Sequence, residues 1–227
     1  MASGSTWESQ CQKPRGWLGR FILWNMNSRH SKVTDWGLEK VCIDKHYTIL
    51  DVGCGGGRTV SKLAAIATEG KVYGTDYSQE SVAASKRTNA RWINMGRVEI
   101  RHGYVSQLPF SDDMFDLVTA VETHFWWPNL AADMREVFRV LKPGGKLIII
   151  AEIYKGANTM AARLAEKYAG RTSMALPTVD EHREIFANAG YSDIEVIEER
   201  GKGWICGIGR RPSMPKGSIP GDDRDRA

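Results

Sequence analysis

The chain has 227 residues, of which 42% are hydrophobic, and a formal net charge of +4. That size and apolar fraction suit one compact α/β core, and no run of about eighteen apolar residues is present to span a membrane. Lysines and arginines are dispersed rather than gathered into a stripe, which favours a solvated surface over a nucleic-acid face.

Residues 1–16 read as loose, and Met1-Ala2-Ser3-Gly4-Ser5 lacks the basic-then-apolar order of a secretory signal. Trp17, Phe21 and Trp24 then fall at i, i+4 and i+7, an aromatic stripe on one helical face. A second short helix is expected near 32–41. From Tyr47 strands and helices alternate: strand 48–53, helix 57–68, strand 71–75, helix 78–94, strand 97–101, strand 115–121, helix 129–141, strand 145–153. Leu130, Met134, Val137, Phe138 and Leu141 have helical spacing and should cover the sheet. Helices over 157–170 and 178–189 follow, the second opening on a Thr178/Glu181 capping box and stopping at Gly190. Ile194–Glu199 and Gly203–Gly209 read as a closing strand pair, and Arg211 onward, rich in Pro, Gly and alternating charge, reads as a disordered tail.

The four cysteines, Cys11, Cys42, Cys54 and Cys206, form no C-x-x-C pair, so neither zinc nor redox chemistry is indicated and reduced thiols in a cytoplasmic protein are expected. The informative stretch is Ile49-Leu50-Asp51-Val52-Gly53-Cys54-Gly55-Gly56-Gly57. A buried strand ends in an acid and opens into a glycine loop, where the backbone can take positive φ and approach a ligand. Arg58 occupies the place of the third glycine of the dinucleotide fingerprint, and no Gly-Lys-Ser/Thr follows to make a P-loop. Val72-Tyr73-Gly74-Thr75-Asp76 supplies a second strand ending in an acid, at the spacing that sets a carboxylate on a ribose diol.

Three further segments complete an ordered set: Gly103-Tyr104-Val105-Ser106-Gln107-Leu108-Pro109-Phe110, Phe115 to Glu122, and Arg139-Val140-Leu141-Lys142-Pro143-Gly144-Gly145. Together the motifs resemble those of the class I S-adenosylmethionine-dependent methyltransferases, over roughly residues 41–153. The resemblance implies a Rossmann-like, doubly wound, seven-stranded, mostly parallel sheet with an antiparallel final strand, plus N-terminal lid helices. It implies a helical lid over 1–40, with an outer helix packed on the sheet as the alternative for that segment, the methyltransferase domain over 41–211 and a tail over 212–227. S-adenosylmethionine is the implied cofactor. Gly53, Gly55 and Gly57 would line its methionine and ribose portions, Asp51 its amino-acid end, and Asp76 its ribose hydroxyls. Tyr77 would pack on adenine and the Val105 N–H would meet the adenine edge. Tyr104 stands where the family usually has an aspartate, so it would stack or offer its hydroxyl instead.

The fourth strand ends in Glu122-Thr123-His124-Phe125-Trp126-Trp127-Pro128, which lacks both the motif of amino-directed DNA methyltransferases and the paired glutamates of arginine methyltransferases. It is similar instead to the small-molecule branch, the ubiquinone- and sterol-type enzymes. On that resemblance Glu122 is a cofactor contact, and His124 and Glu152 are candidate catalytic groups. Trp24, His30, Trp126, Trp127 and Tyr154 are candidates for the acceptor pocket, with core packing as the alternative for the tryptophans and an aromatic box for a cation as a further one. No metal is implied. The expected partner is a small, rather apolar acceptor, and the protein a monomer or homodimer. A tRNA or protein methyltransferase and a non-catalytic cofactor-binding regulatory subunit are the rival readings.

Overall fold

The computed structural model describes residues 31–213. The aromatic stripe of Trp17, Phe21 and Trp24, together with His30, lies outside them, as does the tail beyond Ser213. Helix α1 (Ser31–Leu38) precedes β1 (Thr48–Val52), α2 (Arg58–Ile66), β2 (Lys71–Asp76), α3 (Gln79–Thr88), the short α4 (Ala90–Asn94) and β3 (Val98–His102). Then come β4 (Phe115–Val121), a 3-10 turn (His124–Trp126), α5 (Leu130–Val140), β5 (Leu141–Ala151), α6 (Met160–Ala169), α7 (Val179–Asn188), β6 (Ser192–Glu199) and β7 (Trp204–Arg210).

The strands form one seven-stranded sheet in the order β3-β2-β1-β4-β5-β7-β6. Pairs β1–β2, β1–β4, β2–β3 and β4–β5 are parallel, whereas β7 runs antiparallel to both β5 and β6. This is the architecture expected from the motif order. Chain direction around the sheet reverses between β1 and β4, and it is beyond the carboxyl ends at such a switch point that ligands bind in open α/β sheets.

Central strands are apolar on both faces because helices cover both. Val33, Val60, Leu63 and Val82 from the first three helices share one buried cluster with Ile49, Val72, Ile148 and Ile150. Met134, Val137 and Val140 of α5 and Phe186 of α7 share the other with Leu50, Val118, Leu147 and Ile149. Helix α1 belongs to the first layer: Val33 is fully buried and a Cβ on Gly37 would collide with Ile150. The described end of the expected 1–40 lid is therefore a sheet-covering helix.

The structure corrects three local expectations. The single helix 78–94 breaks at Asn89, whose amide nitrogen Nδ2 donates to the carbonyls of Gly57 (2.9 Å) and Ser85 (3.0 Å). An Asn side chain that bonds main chain competes with continued helix, so α4 starts anew. Strand β5 begins at Leu141 rather than near 145, because Leu141 pairs with Phe115 across a bulge before Lys146 pairs with Leu117. Arg211 is anchored rather than loose. Its guanidinium donates to the carbonyls of Phe138 (3.0 Å), Arg139 (3.1 Å) and Leu141 (2.6 Å), satisfying the carbonyl end of α5. The Thr178/Glu181 capping box forms as expected, with Gly190 at φ +95° beyond the helix it opens.

Candidate active site

A cavity of about 310 Å³ opens at the switch point. Strand order explains its two sides. Asp76 and Tyr77 after β2, and Gly103 to Ser106 after β3, approach from one side of the β1 end; Thr123 and Trp126 to Pro128 after β4 approach from the other. Val52 and Gly53 lie between them.

The glycine loop is knitted to β2 by its own amides. The Thr75 carbonyl accepts from Gly53 N (2.8 Å) and Cys54 N (2.9 Å), Asp76 Oδ2 accepts from Gly55 N (2.9 Å), and Gly57 N donates to the Cys54 carbonyl (2.9 Å). Gly53, Gly55 and Gly57 all sit at positive φ, +71°, +49° and +82°, a region where a Cβ costs energy. Of the three, Gly53 lines the cavity. A Cβ there would collide with Thr123, and one on Gly57 would collide with Ser85 and Asn89. The loop is glycine-rich chiefly so that β1, β4 and α3 can close on it.

Asp76 lies at the mouth, 7% exposed, with its carboxylate held by the amides of Gly55 and Ser78 and by the Ser81 hydroxyl. Burial raises its pKa and these bonds partly offset the rise. Asp76 lines the cavity, and a carboxylate has acceptor sites beyond these bonds, which suits a diol. Tyr77 and Tyr104 stand with ring centroids 6.4 Å apart, and Tyr104 is largely exposed. Burial, aided by Asp76, pushes the Tyr77 hydroxyl up to about 12, so the ring stays neutral. His102, against the Tyr104 edge at 5.6 Å, holds the Tyr77 carbonyl through Nε2 (2.9 Å). Two flat rings beside one carboxylate and a loop shaped by glycines match the adenine and ribose of S-adenosylmethionine, so the residues present fit the implied cofactor.

Asp51 is buried beneath this surface rather than in the cavity lining. Its Oδ1 accepts from the Thr119 hydroxyl at 2.6 Å. Burial drives its pKa up to about 7, the Thr119 bond opposes that, and the Asp76 charge adds to it. Glu122 is a non-glycine residue at φ +57°, and its carboxylate accepts the Glu152 amide across the ends of β4 and β5. Such a left-handed residue re-aims the chain after β4, delivering Thr123 and the tryptophans to the cavity.

Several candidates are not brought to the cavity. His124 is 1% exposed and faces His182 of α7, Nε2 to Nε2 at 3.2 Å, instead of the lining. Its place one residue after Thr123 points its ring the other way, into the protein. Tyr154 is buried, its hydroxyl donating to Glu198 at 2.6 Å. Glu152 and Glu122 lie at the strand ends outside the lining, and Gly55 and Gly57 outside it too. Asp76, Tyr77, Tyr104, Val105, Gly53, Trp126 and Trp127 are brought together. Thr123, Ser106, Gly103 and Pro128 line the cavity without having been singled out; adjacency to motif residues at the strand ends is the signal that could have found them. Among the described residues no group of three or more His, Cys, Asp or Glu is placed to hold a metal ion, and no helix is long and apolar enough to cross a membrane.

A seven-stranded sheet of this order, with β7 antiparallel and a cavity at its switch point, is the Rossmann-like methyltransferase fold. A family model described as a methyltransferase domain matches residues 50–149. Demethylmenaquinone methyltransferase of Geobacillus kaustophilus is 30% identical over 190 residues, covering 74% of this chain and 80% of that protein. Among solved structures, a chain of the complex between the Haloferax volcanii Trm112 methyltransferase activator and a methyltransferase superposes with TM-score 0.75 at 21% identity, over 86% of this chain and 96% of that one. A SAM-dependent methyltransferase from Aquifex aeolicus superposes with TM-score 0.67 at 20% identity, over 84% and 97%. The chain belongs to the class I S-adenosylmethionine-dependent methyltransferases. It is an enzyme of their small-molecule branch, and S-adenosylmethionine is its cofactor.

Proposed function

We propose that the acceptor is an uncharged, flat apolar molecule, an aromatic or quinol-like ring, laid against Trp126, Trp127 and Pro128. The lining carries this reading: Asp76 is its one charged side chain among the described residues, and the side opposite is two indoles and a proline. Such a wall desolvates a ring at little cost, and no lysine, arginine or histidine among the described lining residues offers a cationic partner to a carboxylate or phosphate. That a matched relative is named for demethylmenaquinone agrees with it.

On this reading Asp76 holds the ribose hydroxyls, Tyr77 and Tyr104 bracket the adenine, and the Val105 N–H meets its edge. Asp51 and Glu122 act beneath, shaping the loop and the strand end. The cofactor, when bound, supplies a methyl group made electrophilic by its positive sulfur. The protein's part is to align the acceptor with that methyl and to exclude water. Among the described residues no histidine lines the cavity, so no described histidine is assigned as a base. Methyl-labelled cofactor offered a reduced naphthoquinone, a simple phenol, an aliphatic amine and a carboxylic acid tests this. Label should enter the first two; label entering only the amine or the acid would refute the reading.

We also keep, as proposals, a cytoplasmic monomer or homodimer and a lid formed by residues 1–30 with Trp17, Phe21, Trp24 and His30 over the acceptor. Truncation of those residues should leave a folded domain that binds cofactor but transfers methyl poorly. Unfolding on truncation would refute the lid.

A further inference from the structure

The buried pair His124 and His182 has no part in the chemistry above, yet its geometry is specific. His182 Nδ1 lies 2.7 Å from the Thr178 carbonyl. A carbonyl only accepts, so Nδ1 carries the proton. The rings are 1% and 2% exposed, and burial lowers the pKa of both, keeping them neutral. Neutral His182 therefore presents a lone pair at Nε2. His124 Nε2, 3.2 Å away, must be the donor. His124 Nδ1 is left as a lone pair, and it has no hydrogen-bond partner. That agrees with the assignment, because an orphaned buried acceptor is more tolerable than an orphaned N–H.

The pair joins two pieces of chain that are distant in sequence. His182 sits on α7, whose first turn is locked by the Thr178/Glu181 capping box. His124 opens the 3-10 turn that carries the acceptor wall: its carbonyl accepts from Trp127 N at 3.2 Å, and Trp126 N donates to the Thr123 carbonyl at 2.9 Å. Hydrogen bonds thus tie the capping-box residue Thr178 to His182, His182 to His124 and His124 to Trp127, while Trp126 is bonded to the neighbouring Thr123.

We propose that His182 is a positioning residue for the acceptor side of the site. By accepting from His124 Nε2–H it fixes the tautomer and tilt of His124, and through that turn the placement of Trp126 and Trp127. The inference goes beyond the acceptor reading and does not need it, since it concerns the wall whatever lies against it.

Two measurements on the full chain test it. In long-range proton–nitrogen correlation spectra of the wild type at pH 7.5, His182 should read as the Nδ1–H tautomer and His124 as the Nε2–H tautomer. The reverse assignment, or a charged ring in either, overturns the proposal even if no variant folds. In protein labelled with 5-fluorotryptophan, resonances of Trp126 and Trp127 are assigned by single Phe substitutions. His182→Leu should shift or broaden both and leave Trp36 and Trp92 unmoved. His182→Gln, which restores an acceptor near Nε2, should return them toward wild-type positions. Unmoved Trp126 and Trp127 signals in a folded His182→Leu protein, or no rescue by Gln relative to Leu, would overturn it.

Discussion

The Gly55 amide donates to Asp76 Oδ2 at 2.9 Å, so the glycine loop after β1 and the acid ending β2 are one unit rather than two motifs. Asp76→Ala should therefore loosen the loop as well as remove the ligand proposed for the cofactor's ribose. Each lost bond to a charged group is worth about 1.5–3 kcal/mol, so cofactor and product affinity should fall at least about tenfold. Calorimetry with S-adenosylhomocysteine checks this; equal affinity in the variant would remove Asp76 from the binding surface.

Two glycines with similar backbone make a controlled comparison. Gly57 (φ +82°) faces Ser85 and Asn89, whereas Gly96 (φ +70°) has open space where a Cβ would stand. Gly57→Ala combines left-handed strain with overpacking and should cost about 2–4 kcal/mol. Gly96→Ala carries the strain alone, partly offset by a stiffer unfolded chain, and should cost about 1 kcal/mol. Urea unfolding of both decides the matter, and equal losses would show that the packing under α3 is slack.

Asp51 gives a prediction in pH. Its native pKa near 7 lies above the ordinary 3.8, so the folded state holds this proton more tightly than the unfolded chain. Its contribution is present below about pH 4, falls as pH rises, and is gone above about pH 7, by up to about 4 kcal/mol. Asp51→Asn retains an acceptor for Thr119 but cannot ionise. The variant should be more stable than wild type at pH 7.5, with the difference shrinking toward pH 4. Parallel unfolding midpoints across that range would leave the acid without an energetic cost.

Arg139 makes a clamp that should be visible without any ligand. It donates to Glu136 through Nε (2.9 Å) and Nη2 (2.7 Å) and to the Phe110 carbonyl (3.0 Å), while Glu136 accepts the Leu108 amide (2.8 Å). Arg139→Met keeps the stem but loses the fork. Hydrogen exchange at the Leu108 amide should quicken by about tenfold or more, corresponding to about 1.4 kcal/mol. Unchanged exchange there, with the loop after β3 intact, would show that the clamp is dispensable.

What could be read in advance divides along a physical line. Strands β1, β2 and β4 were legible because each carries a short apolar stretch, Ile49-Leu50, Val72-Tyr73 and Leu117-Val118, of the kind a sheet covered on both faces buries. Asp51 and Asp76 were legible because each follows such a stretch near its strand end. The capping box at Thr178 is local chemistry and was equally plain. Asn89 was not: its partner Gly57 is 32 residues away, and only tertiary closure makes the side chain leave the helix. His124 shows the same limit in the site. A histidine beside the cavity-lining Thr123 reads as a candidate base, but its partner lies 58 residues downstream. Arg211 looked like part of a charged tail until three carbonyls at the end of α5 were seen to need a donor.

The four loop amides already bonded within the protein have a kinetic meaning. Since Gly53, Cys54, Gly55 and Gly57 direct their N–H groups to Thr75, Asp76 and Cys54, the loop holds its shape through internal bonds. An incoming cofactor meets a surface already formed, so little chain entropy is lost on docking. Its association should be set by diffusion and by access to the mouth, not by a slow rearrangement of this turn. On the proposed assignment of the two sides, the loop can stay constant while the indole wall across from it is altered by substitution, which leaves acceptor choice free to change without rebuilding the cofactor seat.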